Sequence, residues 1–121
     1  MSGNLSPIAQ QKLAQLEIFS PRVMRLHSLV ETYASAKTHQ AITLASIKRA
    51  ADALKLSFMT AGLEPMSQTC RTVCMAAGRG TQPTQAKIFR ESVGALRFQI
   101  ELETRTILRE DQERRDKAGK A

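Results

Sequence analysis

The chain has 121 residues and a mass of 13.4 kDa, which is the size of one domain. Hydrophobic residues make up 42% and charged residues 24%, so the composition is globular and excludes a low-complexity or disordered chain. The net charge of +7 permits either nucleic acid or an acidic protein surface as the partner. Two cysteines are too few for a disulfide-stapled domain, and no stretch resembles a signal peptide or a membrane span. We therefore expect one soluble, cytoplasmic domain over residues 1–121.

Two Ser-Pro pairs predict the first two helix starts. Ser6-Pro7 and Ser20-Pro21 each offer a capping hydroxyl, followed by a proline at the first helical position, where its missing N–H is tolerated. The first helix is predicted over about residues 7–18 and the second over about 21–36. The buried face of the second helix is expected to carry Val23, Leu26, Val30 and Tyr33.

Three further helices follow. The third, over about residues 40–61, is expected to end at Gly62. The fourth begins near Pro65 and ends at residues 78–80, and the fifth runs from Pro83 to about residue 115, with residues 116–121 frayed. The predicted core stripes, which recur at spacings of three and four, are Leu44, Ile47, Ala51, Leu54, Phe58 and Ala61 on the third helix, Met66, Cys70, Val73 and Ala77 on the fourth, and Phe89, Val93, Leu96, Ile100 and Ile107 on the fifth.

Short connections between consecutive helices favour antiparallel neighbours. The predicted fold is therefore all-α: an antiparallel up-and-down four-helix bundle with an additional N-terminal lid helix. A second apolar stripe on the fifth helix, formed by Ile88, Ala95, Phe98 and Leu102, is interpreted as covering the lid in preference to forming a dimer seam.

The positive charge is concentrated in the middle of the chain. Residues 32–90 carry eight basic and two acidic side chains, so this stretch has a net charge of +6. Residues 91–121 carry seven of each sign, and several opposite charges there lie four residues apart, as in Asp111 and Arg115. We expect an electrostatic partner to contact the middle stretch, and the charged face of the last helix to be solvated.

No pattern in the sequence predicts catalysis. Cys70 and Cys74 lie one helical turn apart, but no further ligand completes a tetrahedral metal site. His27 and His39 have no nucleophile and carboxylate arranged around them, and Gly78-Arg79-Gly80 lacks the features of a phosphate-binding loop. We expect no enzyme, no metal and no cofactor.

The outer face of the third helix is the predicted binding site. Exposed apolar side chains lie there among basic ones and a single acid, which is typical of a protein contact patch. The predicted partner-binding residues are Ala45, Lys48, Arg49, Asp52, Lys55, Leu56 and Met59.

The run from Ala51 to Ser57, followed by Gly62, Met66 and Cys70, resembles the signature of histidine-phosphotransfer (HPt) domains of two-component signalling. That family reads His-x-Leu-Lys-Gly-Ser, with a glycine ten residues after the histidine. Asp52 stands at the position of the phosphorylated histidine, and Leu56 at the position of the motif glycine. The resemblance extends over about residues 20–108 and implies a helical bundle, whereas the loss of the histidine removes the basis for phosphotransfer.

The leading hypothesis is a non-catalytic HPt-like adaptor or regulator. It would bind a receiver domain or a histidine kinase through the outer face of the third helix and the adjoining part of the second. Two alternatives stay open: a basic bundle that binds nucleic acid, and a structural helical subunit of a larger assembly.

Overall fold

A computed structural model describes residues 5–119, and within them the chain forms four α-helices and no strand. The helices are α1 (Pro7–Ser35), α2 (Gln40–Thr60), α3 (Glu64–Ala77) and α4 (Gln82–Gly119). α1 packs against α2 and α4, and α3 packs against the same two helices. The all-α helical bundle predicted from the sequence is therefore confirmed, with the predicted third helix as α2.

Helix boundaries follow the predicted signals at two places. Ser6 caps α1, and its Oγ accepts a hydrogen bond from the Ala9 N–H at 3.2 Å. Gly62 adopts the left-handed conformation, with a φ of 76°, directly after α2. There the Leu63 N–H donates to the Phe58 carbonyl at 2.8 Å, which satisfies one of the last free carbonyls of the helix.

The prediction of a break at Ser20-Pro21 is wrong. α1 continues through Pro21, so the predicted lid helix and the predicted second helix are one element of 29 residues. A Ser-Pro pair is compatible with a helix start, but burial of Phe19 and Val23 on either side of the pair keeps the backbone helical. The described bundle has four helices where the sequence predicted five.

The main core lies among all four helices and contains nearly all of the predicted stripe residues. Phe19 of α1 stacks on Phe58 of α2, with 4.2 Å between ring centroids. Leu44, Ala61 and Ile100 are only partly buried against this core. Its largest fully buried side chains are Val23, Leu26, Val30, Ile47, Leu54, Phe58, Cys70, Val73, Phe89 and Leu96.

Two glutamines at the start of α4 connect the ends of three helices. The buried Gln85 accepts a hydrogen bond from the Tyr33 hydroxyl and donates to the Ala76 carbonyl at 3.0 Å. Gln82 donates to the Tyr33 and Ala36 carbonyls at 2.7 and 2.9 Å. These bonds satisfy backbone carbonyls at the ends of α1 and α3.

A second, smaller core forms where the first turns of α1 meet the far half of α4. It contains Ala9, Leu16 and Ile107. The apolar stripe of α4 that was expected to cover a lid is not covered, because Phe98 and Leu102 are 58% and 49% exposed. Residues 116–119 of the tail that was expected to fray belong to α4, which is helical to Gly119. Residues 120–121 of that tail lie outside the described part of the chain.

Asp111 on α4 is the charged residue whose position the sequence did not predict. It pairs with Arg115 at 3.2 Å as the spacing indicated, but it is 1% exposed instead of solvated. The neighbouring Ser6 hydroxyl is the largest cause that lowers the pKa of this carboxyl, and the Ser6 N–H and Arg115 act in the same direction. Asp111 lines a small cavity together with Ile8 and Ala9 of the first turn of α1, where a helix favours negative charge.

Replacement of Pro21 tests the continuity of α1. Pro21→Ala restores a backbone N–H inside the helix, which raises the free energy of unfolding, but it also makes the unfolded chain more flexible, which lowers it. We expect a net rise of about 1–2 kcal/mol. Urea denaturation measures the change. Pro83→Ala is the matched control, because Pro83 lies in the first turn of α4, where proline is tolerated. A destabilised Pro21→Ala variant would contradict one continuous helix.

Acidification tests the Asp111 contact. A carboxyl with a lowered pKa stabilises the fold above its unfolded-state pKa, and that contribution is lost as the pH falls through the folded-state value. Asp111→Asn should therefore lower the melting temperature at pH 7, and the difference from the unmodified protein should shrink below about pH 4, near the ordinary aspartate pKa. Glu110→Gln, an equal charge change at an exposed neighbour, should leave the melting temperature unchanged at both pH values.

Candidate functional site

The seven residues predicted to bind a partner all lie on α2, and six of them are exposed, with Lys55 half-buried. Helical periodicity places them on two adjacent rows that face different neighbours. The first row contains Ala45, Lys48, Asp52, Lys55 and Met59, and the second contains Arg49 and Leu56.

The first row borders α3. Lys55 Nζ lies 3.1 Å from Asp52 Oδ1, and the Cys74 Sγ lies 4.0 Å from the Lys48 carbonyl oxygen. An exposed pair of this kind contributes roughly 0–1 kcal/mol to stability. Its consequence for binding is that the single acid of the predicted face is compensated by a lysine.

The second row borders α1, and its Arg49 lies in the wall of a groove between the two helices. The groove has a volume of about 520 Å³ and is lined by the side chains of three arginines, Arg22 and Arg25 from α1 and Arg49 from α2. Its remaining lining is Leu29, Ser46, Ala50, Ala53 and Leu54, so no carboxylate of residues 5–119 lines it. Within residues 5–119 none of the three arginines forms an ion pair.

Two of these guanidinium groups are oriented by neighbours. Arg22 Nη1 donates to Ser57 Oγ at 3.1 Å, and the Arg22 guanidinium lies 5.8 Å from the centroid of the Phe19 ring. Arg49 Nη2 lies 3.4 Å from Ser46 Oγ, at the long end of hydrogen bonding. Each guanidinium has five N–H donors, so most of them are free to bind an anionic group.

An apolar depression adjoins the arginine groove. It has a volume of about 350 Å³, and its lining includes Ile18 and Phe19 from α1 and Leu56 and Ser57 from α2. Ile18 and Leu56 are 63% and 56% exposed. Because Arg22 bonds to Ser57, the depression and the groove form one continuous surface. We call it the α1–α2 surface and define it by Ile18, Arg22, Arg25, Arg49 and Leu56.

The α1 half of this surface was expected only as the adjoining part of the predicted second helix, and none of its residues was predicted. Ile18, Arg22 and Arg25 are spaced by four and three residues, which places them on one face of a continuous helix. The predicted break at Pro21 assigned Ile18 to one helix and the two arginines to another. The spacing of Ile18, Arg22 and Arg25 was the signal available in the sequence. It indicates a shared face only if one helix continues through Pro21.

The two cysteines are placed differently. Cys70 is buried and Cys74 is half-buried, and both are free. Burial raises the pKa of the Cys70 thiol to about 12 and also raises the pKa of Cys74. Both groups are therefore protonated thiols at neutral pH, which are poor nucleophiles and poor metal ligands.

Residues 5–119 hold neither a cluster of metal ligands nor a helix suited to cross a membrane. The described residues contain no group of three or more His, Cys, Asp or Glu side chains arranged to hold a metal ion. No helix within the same range combines the length and the apolar composition that a bilayer crossing requires.

Thiol accessibility tests the positions of the cysteines. At pH 8 the folded protein should react with a thiol reagent at Cys74 only, because Cys70 is buried and fully protonated. We expect one equivalent of thiol before denaturation and two equivalents afterwards. Cys74→Ala should remove the first equivalent and Cys70→Ala should keep it. Equal reaction rates of both thiols in the folded protein would contradict the structure.

Comparison with known proteins identifies no relative. No family model matches the chain, and neither a curated protein nor a solved structure matches it. The resemblance to HPt domains therefore depends on the motif residues themselves.

Proposed function

We propose that this chain is a non-catalytic adaptor that binds an acidic protein surface with an apolar rim through the α1–α2 surface. The observation that carries the proposal is the convergence of Arg22, Arg25 and Arg49 around a groove without a carboxylate. The exposed Leu56 and Ile18 lie directly beside that groove.

The arginines supply the electrostatic part of recognition. Guanidinium groups bind carboxylates in two-point geometry and are less strongly hydrated than lysine, so they are suited to a contact that loses water. Arg22 and Arg49 are oriented by serine hydroxyls, which reduces the side-chain entropy lost on binding. The surrounding positive charge of residues 32–90 would speed the encounter with an acidic partner.

Leu56 and Ile18 supply the apolar part. Both are largely exposed, so each contributes little to folding, yet each would lose its hydration in a complex. An apolar anchor beside charged groups that exclude water from its rim is the usual form of a binding hot spot. The depression between them provides space for one apolar side chain of the partner.

Asp52 favours binding without phosphotransfer. It occupies the position at which the HPt resemblance places the phosphorylated histidine, and it is paired with Lys55 at 3.1 Å. A carboxylate that accepts a phosphoryl group needs a metal and further acids, whereas the neighbours of Asp52 on its row are lysines. We therefore propose an adaptor that binds to its partner's surface and transfers no phosphoryl group.

The partner that best fits this surface is a receiver domain of two-component signalling, and a histidine kinase module is the second candidate. The resemblance implies that a receiver active site is acidic with an apolar rim, which complements the α1–α2 surface in charge and polarity. Such partners would place the adaptor in the cytoplasm.

The proposal also includes the antiparallel up-and-down order of the helices. Supporting contacts join opposite ends: the Tyr33 hydroxyl near the end of α1 bonds to Gln85 near the start of α4, whereas Leu16 near the start of α1 packs with Ile107. In this order the extra N-terminal turns of α1 would cover the far half of α4, which is the role expected of a lid.

A binding experiment with purified receiver domains tests the proposal. Leu56→Ala should weaken binding at least tenfold, equivalent to about 1.4 kcal/mol, and should leave the melting temperature unchanged. Arg22→Glu should weaken binding further, since it places a negative charge in the groove. Leu54→Ala should instead lower the free energy of unfolding by about 2–5 kcal/mol, because Leu54 belongs to the main core.

The controls are matched by exposure and by charge. Ile8→Ala removes an apolar side chain on α1 that is also 56% exposed, and Arg71→Glu reverses a charge on α3; both variants should bind normally. The proposal is wrong if Leu56→Ala and Arg22→Glu bind receivers as the unmodified protein does. Binding to oligonucleotides regardless of their sequence, lost at moderate salt, would favour the nucleic-acid alternative.

A further inference from the structure

The outward face of α4 carries exposed apolar side chains that no other described element covers. Phe98 and Leu102 are 58% and 49% exposed and lie one helical turn apart. Ala95 is half-buried beside them, and Gly94 faces open space, because a Cβ atom at that position would meet nothing within 4 Å. An exposed phenylalanine and leucine next to two small residues form a contact patch in which a partner helix can approach closely.

The charges that flank this patch are arranged symmetrically about Phe98. Glu91 lies seven residues before Phe98 and Arg105 lies seven residues after it. Seven residues are about two turns, so both side chains share the face of Phe98, about 10 Å from it on either side. Both are exposed, and neither forms an ion pair within residues 5–119.

We propose that this face binds the same face of a second copy of the chain, with the two α4 helices antiparallel and the two Phe98 rings meeting at a two-fold axis. In this arrangement Glu91 of each copy lies opposite Arg105 of the other, which gives two equivalent ion pairs. Leu102 of each copy packs over Gly94 and Ala95 of the other. A two-fold interface requires such a self-complementary surface: if residue i of one copy contacts residue j of the other, residue j of the first copy also contacts residue i of the second.

Within two turns of Phe98, the charge pattern selects a second antiparallel copy over a parallel copy or an acidic partner. Parallel helices would place Glu91 against Glu91 and Arg105 against Arg105, which is repulsive at both ends of the patch. An acidic partner is better accommodated by the α1–α2 surface, since residues 91–121 carry equal numbers of basic and acidic groups. The dimer would therefore avoid the +6 region of residues 32–90 and leave the α1–α2 surface of each copy free.

Charge reversal combined with sedimentation equilibrium tests the interface. Glu91→Arg and Arg105→Glu should each raise the dimer dissociation constant at least tenfold, because each places like charges opposite each other twice. The double variant, with both changes, should return to within about threefold of the unmodified protein. Phe98→Ala should weaken the dimer at least tenfold. The melting temperature should stay unchanged when it is measured at a concentration where the unmodified protein is monomeric, since the ring is exposed in the single chain.

Arg71→Glu on α3 is the control, and it should dimerise normally. A protein that stays monomeric at about 1 mM would overturn the proposal. It would equally be overturned by single charge variants that dimerise normally, or by a double variant that fails to recover. Since Leu56 lies on α2 and Phe98 on α4, receiver binding and dimerisation are lost separately, so the failure of one proposal does not affect the other.

Discussion

The continuity of α1 through Pro21 is the constraint on which the rest of the structure depends. Proline in a helix interior removes one backbone hydrogen bond and disfavours the preceding turn, at about 3 kcal/mol. Here the helix persists because Phe19 and Val23, on either side of the proline, are buried in the main core. The same 29-residue helix reaches Ala9 at the smaller core, so one element joins both apolar clusters.

The two surfaces described here differ in kind because charge is distributed unevenly over the fold. The α1–α2 surface presents three arginines without a lining carboxylate, and such a surface repels its own copy while it attracts an acidic one. The outward face of α4 has balanced charge around an apolar centre, which favours association between identical chains. Separation of the two on different helices would let one protein take part in both kinds of contact at once.

Periodicity predicted most of the fold, because burial of one helix face is a local property of the sequence. The stripes through Leu54 on α2 and Phe89 on α4 are buried as predicted. The errors occurred where a local signal competed with packing between distant residues. Ser20-Pro21 has the form of a helix start, and only its neighbours in the core show that it is not one, so Arg22 and Ile18 were not placed together. Asp111 illustrates the same limit, since its burial depends on the beginning of α1, about a hundred residues away in sequence.

The smaller core of Ala9, Leu16 and Ile107 divides the molecule into regions of unequal local stability. Three buried side chains hold far less apolar surface than the main core, so the first turns of α1 and the distal part of α4 should separate from each other at a lower free energy than global unfolding requires. Both segments lie against each other, and neither keeps its buried face without the other. The first turns of α1 and the distal part of α4 therefore form one cooperative opening unit, whose backbone amides would exchange with solvent while the centre of the bundle stays closed.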